Sequence, residues 1–258
     1  MKHTNPFYSC SVIVPARDEE GTISRLIQKL PPLGRYTEII FVEGHSSDNT
    51  WDEIVKLKTH NPKIKDGFRI QAYRQKGRGK ADAVNLGFSK ATGDILIILD
   101  ADLSVPPEDL LRFYRLLSKG EAQFVNGSRF VYPKEKGAMR YINHLGNKSF
   151  AVIFSLILRQ RITDTLCGTK ALFRKDWKRI VAATKKFSQH DPYGDFQLLL
   201  GAGLLGLKVK EVPVNYKARM YGRSKINPFL DGIQLVVLLL TSIRDFVAVT
   251  LKYQDGDR

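Results

Sequence analysis

Cysteine is nearly absent: Cys10 and Cys167 are the only two in 258 residues. Two cysteines make no disulfide framework. Cys10 also opens an apolar stretch, so a free buried thiol is expected there. Histidine is scarce as well, with five in the chain. His45 has no partner at ligand spacing, which argues against zinc. No apolar run reaches the roughly 18 uncharged residues that a spanning helix needs. The start, MKHTNPFYS, lacks the apolar core of a secretory signal, so the sequons at Asn126 and Asn147 read as chance. Internal repeats and low-complexity tracts are missing too. Acidic residues are outnumbered, with 26 Asp and Glu against 41 Lys and Arg, for a formal charge of +15. Such an excess implies acidic partners: nucleic acid, an anionic membrane surface or phosphorylated small molecules. The cations are spread over several loops instead of forming one aromatic-rich face, so nucleic acid is not expected.

What is present is an alternation of short apolar runs and amphipathic stretches. Residues 10–15 (CSVIVP), 38–43 (EIIFVE), 68–74, 95–99 (ILIIL) and 124–129 (FVNGSR) read as strands. Helices are expected from about 21 to 30, 51 to 58, 80 to 91 and from Pro106 onward. Strands alternating with helices predict an α/β fold of three layers around a mostly parallel sheet. Beyond residue 133 the pattern changes. A helix over 138–158, a strand ending at Phe173, a helix from 191–195 to Leu205, a strand over 207–216 and a last amphipathic helix over 228–252 are expected. The division that follows is a main domain over residues 1–226 and a helical extension over 227–258.

The stretch ILIILDADLSVPPED concentrates the chemistry. A run apolar on both faces suits a central parallel strand, and ligands of open α/β sheets sit at the carboxyl ends of such strands. Asp100 and Asp102 are two residues apart on the extended exit and so point the same way. Two hard oxygen ligands at one spot suit Mg²⁺ or Mn²⁺ holding a diphosphate. The alternative is that Asp102 or Ser104 merely caps the helix beginning near Pro106.

The ordered set SVIVPARDEE, VEGHSSDNT, GRGKADAVNLGFSKATGD, ILDADLSVPPED, NGSR, DTLCGTK and EVPVNYKARMYGRSK resembles family 2 glycosyltransferases of the GT-A fold. Within that family it is similar to the polyprenol-phosphate branch, the dolichol-phosphate mannose and glucose synthases. The resemblance covers about residues 9–226. It implies inverting transfer of a hexose from a nucleotide-diphosphate sugar, of the GDP-mannose or UDP-glucose type, to a polyprenyl or dolichyl phosphate. By this resemblance Pro15, Arg17 and Glu19 line the nucleotide pocket. Glu43 and Asp48 match a motif that holds base and ribose, and Gly44 replaces its second Asp. Asp100 and Asp102, with Ala101 between them, match the DxD that frames a metal-bound diphosphate, and Ser104 stands where relatives place a metal-reaching Gln. Arg129, Arg219, Arg223 and Lys225 match basic positions for the donor diphosphate and acceptor phosphate, and Arg140 is grouped with them. Asp102, Arg129 and Asp195 are the expected catalytic residues.

Several residues carry two readings. Asp195 is placed to act as a base for a hydroxyl acceptor, or it caps a helix. A phosphate acceptor needs positioning more than deprotonation, because its second pKa is about 6. The basic loop 217–225 is a flap over phosphates or an ordinary solvated loop, and Lys76, Arg78 and Lys80 touch donor phosphates or only water. Cys167 is expected to pack and not to react. The apolar end of the 138–158 helix, beside Arg140, Lys148 and Arg159, is expected at an anionic membrane interface, on the cytoplasmic face, directly or through a membrane-anchored partner. The rivals are a hydroxyl-acceptor enzyme and a non-catalytic module that binds nucleotide sugar or lipid phosphate.

Overall fold

A computed structural model describes residues 8–60, 63, 67–132, 141–185, 194–217, 221, 234, 236–241 and 243–248. Its strands are β1 (Cys10–Ala16), β2 (Thr37–Glu43), β3 (Phe68–Arg74), β4 (Ile95–Ile98), β5 (Phe124–Ser128), β6 (Lys170–Phe173) and β7 (Val209–Pro213). Its helices are α1 (Ile23–Lys29), α2 (Thr50–Thr59), α3 (Lys80–Lys90), α4 (Leu110–Ser118), α5 (Tyr141–Leu158), α6 (Arg174–Thr184) and α7 (Asp195–Leu204). The strands form one sheet in the order β3-β2-β1-β4-β6-β5-β7. Only β6 runs against its neighbours, and the remaining pairs are parallel. The expected three-layer, mostly parallel α/β architecture is what the chain adopts.

Side-chain alternation divides the core in two. Val12, Val14, Ile39, Phe41, Ile95 and Ile97 face one cluster, shared with α1, α2 and α4. Ile13, Ile40, Val42, Leu96 and Ile98 face the other, shared with α3, α5, α6 and α7. This is the two-residue period of a strand covered on both faces. Helix α4 buries Leu110, Phe113, Tyr114 and Leu117, the spacing of a single amphipathic stripe.

Three boundaries differ from expectation. The last strand is shorter: beyond Pro213 the Val214 amide still bonds Ser128, but the Asn215 and Lys217 amides leave the ladder for Asp109 and Ser104. The helix near Pro106 begins as a 3-10 turn over Pro107–Asp109. Helix α6 was not anticipated, although Trp177, Ile180 and Thr184 recur at helical spacing and pack inward; its fully buried positions are Asp176, Ile180 and Thr184. The expected start of α5 at 138 and the boundary at 226/227 lie outside the described residues. Residues 234, 236–241 and 243–248 are helical. There Leu238 and Leu239 join the second core, while Val236, Val237, Leu240 and Val247 face outward.

Because β6 is the only reversed strand, the carboxyl ends of β1, β2, β4 and β5 open on one edge of the sheet, where ligands of such sheets bind. Helix α3 is pressed onto β1 at Gly87, where a Cβ would lie 2.5 Å from Ile13 Cγ2. Alanine is the better helix former by about 1 kcal/mol, yet overpacking a core costs roughly 1–3 kcal/mol. Gly87→Ala is therefore expected to lower stability in urea denaturation. A variant more stable than wild type would show that α3 is not clamped against β1.

Candidate active site

The loops after β1 and β2 are stitched together before any ligand is considered. The Asp18 amide donates to Ser46 Oγ at 3.0 Å, and the Ser47 amide donates to Asp18 Oδ1 at 2.7 Å. Asp48 accepts from the Thr50 amide at 3.0 Å and the Glu20 amide at 3.2 Å. Glu19 is buried, and its amide donates to Thr50 Oγ1 at 2.8 Å. Glu43 accepts from the Ser46 amide and lies 3.6 Å from Arg74 Nε. Arg74 in turn stacks over Trp51. Pro15 lies in β1 beside Val42, and Arg17 is mostly exposed, with Nε 3.7 Å from Asp18 Oδ2. Gln75, just past β3, is buried, and its Oε1 finds no hydrogen bond among the described residues. It lies beside Gly44, where a Cβ would meet Gln75 Nε2 at an ordinary 3.6 Å.

At the exit of β4 the backbone is strained. Leu103 sits at φ 57° and is buried, a left-handed conformation that costs an ordinary residue roughly 1–2 kcal/mol. Asp102 holds the turn by accepting from the Ser104 amide at 2.9 Å. The following 3-10 turn has no side-chain cap, so neither Asp102 nor Ser104 serves as its cap. Asp18 and His45 also have positive φ, so strain recurs after β1, β2 and β4 on the same edge.

Lys80, the first residue of α3, reaches across to Asp100, with Nζ 2.5 Å from Oδ1. Burial alone would lower the lysine pKa, but Asp100, Asp195 and Asp102 outweigh it and raise the pKa. Next to this pair is a second one. Lys170 is fully buried and donates to Asp195 Oδ1 at 2.6 Å and to the Cys167 carbonyl. Asp195 is the first residue of α7, whose N-cap is Gly194. Asp195 is therefore inside the helix and paired, not its cap. Cys167 is a free buried thiol whose pKa burial pushes up to about 12, which leaves it unreactive at neutral pH.

Arg129 follows β5 and grips Asp164 with two parallel bonds, Nε–Oδ2 at 2.7 Å and Nη2–Oδ1 at 2.8 Å. Asp164 is completely buried. Burial alone would raise its pKa, but Arg129 holds it below the ordinary carboxylate range. Asn147 from α5 donates to Asp164 Oδ1 at 3.0 Å and accepts from the Thr165 amide at 3.1 Å. Glu211 of β7 accepts from the Thr163 and Asp164 amides. The other face of Arg129 meets the Tyr216 ring at 5.2 Å. One residue on, the Lys217 amide donates to the Ser104 carbonyl at 2.9 Å. The Arg129 loop, the β7 exit and the DxD loop thus meet at one point.

Among the described residues no three His, Cys, Asp or Glu side chains gather. Mg²⁺ commonly takes one or two protein carboxylates and completes its shell with substrate phosphates and water. Asp100 and Asp102 are hard oxygens of that kind. Gly168 leaves a cradle against Asp100: a Cβ there would lie 2.3 Å from Asp100 Oδ2. The residues fit a hard divalent cation. Of the expected positions, Lys80, Asp100 and Asp195 come together beside Asp102, and Arg129 lies at the adjoining junction. Arg140, Arg219, Arg223 and Lys225 lie outside the described residues. The sequence reading missed Asp164, Lys170, Tyr216 and Gln75. Their signals were slight: Asp164 and Lys170 lie in the polar loop DTLCGTK, Tyr216 in EVPVNYKARMYGRSK, and Gln75 opens the loop QKGRGK after β3.

The family model described as Glycosyl transferase family 2 matches residues 11–180. The undecaprenyl-phosphate 4-deoxy-4-formamido-L-arabinose transferases of Salmonella paratyphi B and Salmonella newport are each 26% identical over 242 residues. The match covers 92% of this chain and 68% of either relative. Among solved structures, glucosyl-3-phosphoglycerate synthase from Mycobacterium tuberculosis, in complex with Mn²⁺, UDP and glucosyl-3-phosphoglycerate, superposes with a TM-score of 0.66 at 21% identity. The same enzyme with phosphoglyceric acid gives 0.66 at 22%. Both comparisons cover 92% of this chain and 80% of the other. At that identity they establish the shared GT-A fold.

Removing one partner of a buried ion pair typically costs about 3–5 kcal/mol. Asp164→Asn is expected to lose about 3 kcal/mol of stability at neutral pH. Because the folded-state pKa of Asp164 is depressed, its contribution is present above the ordinary value of 3.8 and is lost as pH falls through the lower folded value. Urea denaturation of both proteins at several pH values would reveal a gap that closes in acid. A gap unchanged from neutral pH into strong acid would mean that the ion pair does not stabilise the fold.

Proposed function

The chain belongs to glycosyl transferase family 2, and from that membership we propose that it moves a hexose from a nucleotide-diphosphate sugar to a polyprenyl phosphate at a membrane surface. It is a glycosyltransferase; the donor, the acceptor and the role of each residue are our reading. Asp100 and Asp102 hold a divalent cation, with Ser104 and Ala101 shaping the turn that presents them. When bound, that cation neutralises charge on the departing nucleoside diphosphate. Pro15, Arg17, Glu19, Glu43 and Asp48 form the nucleotide end. Gln75 and Gly44 stand at its base side, with the unpartnered Gln75 Oε1 ready to accept a hydrogen bond.

The acceptor oxygen attacks the anomeric carbon as its bond to the donor phosphate breaks. A phosphate acceptor already carries the charge it needs, its second pKa being about 6, so no base is required. That agrees with Asp195 being engaged by Lys170. Arg129 is positioned at the junction where an acceptor phosphate would meet the donor.

The observation that carries the lipid reading is a groove of about 460 Å³ between α5 and residues 161–163. Ala151, Val152, Leu156, Ile162 and Phe130 give it apolar walls, and Lys148 and Arg161 supply cations. Phe130 and Thr163, two of its lining residues, are the chain neighbours of Arg129 and Asp164. A prenyl chain in the groove would thus lead its phosphate to Arg129. Leu156 and Val152 are 74% and 58% exposed, so the groove opens on an apolar surface suited to a bilayer interface. Among the described residues no helix is long and apolar enough to cross a membrane. We place the protein peripherally, on the cytoplasmic face, with its net charge of +15 drawing it to anionic lipid. The division into a catalytic unit over 1–226 and an interfacial extension over 227–258 belongs to the same proposal.

The test is a series of prenyl phosphates of increasing length. kcat/KM is expected to rise with length in the wild type. Leu156→Glu is expected to cost long acceptors about tenfold, equivalent to roughly two buried methylenes, and to spare short ones. Equal turnover of short water-soluble phosphates, or no effect of Leu156→Glu on long ones, would refute the groove as the lipid site.

A further inference from the structure

The geometry around Asp100 points to a role for Lys80 beyond that of a donor contact. The lysine ammonium sits on Asp100 Oδ1 at 2.5 Å. The pair lies under the backbone of the 164–169 loop: a Cβ at Gly168 would be 2.3 Å from both Lys80 Nζ and Asp100 Oδ2. Asp195 and Asp102 add to the negative field that draws the lysine in. Asp195 is already neutralised by the buried Lys170, so it does not hold Lys80 by itself. Asp100 is thus the carboxylate that Lys80 occupies, and it is one of the two we assign to the divalent cation.

We propose that Lys80 is a tethered cation that occupies the Asp100 carboxylate until a nucleoside diphosphate draws it away, so that metal and nucleotide bind interdependently. The inference rests on the assignment of Asp100 and Asp102 to the metal. An ammonium and a divalent cation repel one another when they share the same oxygens. Lysine is a compact charge on a flexible four-carbon stem, able to leave a carboxylate for a nearby phosphate. When the diphosphate arrives, Lys80 turns to it, Asp100 is released to the metal, and the repulsion between the two cations becomes shared attraction to the phosphates. By linkage, nucleotide tightens metal binding by the same factor as metal tightens nucleotide binding. Metal binding is thereby weakened until the donor is present.

The test reads unbound Mn²⁺ by electron paramagnetic resonance, on the full chain, with and without UDP or GDP. Wild type is expected to bind Mn²⁺ weakly alone and more tightly with nucleotide. Lys80→Gln, which removes the charge, is expected to bind Mn²⁺ about tenfold more tightly without nucleotide, within the usual range for coupled sites. It is also expected to lose most of the tightening that nucleotide brings. Lys80→Arg keeps the charge and is expected to stay near wild type. If Lys80→Gln binds Mn²⁺ no more tightly than wild type in the absence of nucleotide, the proposal is wrong. If Lys80→Arg behaves as Lys80→Gln does, shape and not charge is responsible, and the proposal is likewise overturned. Failure of wild type and variants alike to bind Mn²⁺ with either nucleotide would instead remove the metal assignment beneath it.

Discussion

Asp164 is the carboxylate on which the site depends. It is wholly buried, so it must be neutralised, and Arg129 does this with two parallel bonds. Asn147 and the backbone of Leu166 satisfy it further. A charge held this way cannot move without exposing an unpaired ion to the core. The segment carrying it is therefore fixed relative to β5, α5 and β7. That one segment supplies the far wall of the apolar groove through Ile162 and Thr163. Four residues past Asp164 it lays Gly168 over Lys80 and Asp100. Two residues further it delivers Lys170 to Asp195. The apolar groove and the Lys80–Asp100 pair are thus held in register by a single internal ion pair.

The loops after β1, β2 and β4 follow a different rule, in which short loops are tied to each other instead of to the core. The loops after β1 and β2 exchange bonds through Asp18, Ser46, Ser47 and Asp48. The turn after β4 is closed by Asp102 on its own backbone. Asp18, His45 and Leu103 accept positive φ in these turns. Strain of this sort persists only where surrounding contacts over-determine the backbone. Here it lets three strand ends present polar groups toward one opening. The opposition of charges in that opening is close to balanced: Lys80 with Asp100, Lys170 with Asp195, Arg129 with Asp164.

The fold was legible because it is written in local patterns. Apolar runs such as ILIIL and EIIFVE can only be strands buried on both faces, and each became one. The DxD turn was legible for the same reason, since strand, acidic pair and prolines are contiguous. Helix α6 was not, although Trp177, Ile180 and Thr184 recur at helical spacing: Arg174, Lys175, Lys178 and Arg179 around them make the stretch polar on average and mask the stripe. The core of the site was legible only in part. Arg129 was singled out for its cation, but its partner Asp164 is 35 residues away, and Glu211 is 47 residues beyond that. No local spacing announces such a contact. Lys170 is harder still: lysine is almost never fully buried unless paired, and its partner Asp195 lies 25 residues downstream. The resemblance to a glycosyltransferase family supplied the order of motifs, while the pairing of charges required the three-dimensional structure.

The function proposed for this site is transfer of a sugar to a lipid phosphate. The most direct measurement is nucleoside diphosphate release from a panel of UDP- and GDP-hexoses, with Mn²⁺ or Mg²⁺, in the presence and absence of a polyprenyl phosphate in detergent. Release is expected from one donor class and to require both the metal and the lipid, with a sugar-charged lipid as the product and no such product from Asp102→Asn. Release at the same rate without lipid, or donor binding without release under every condition, would contradict it.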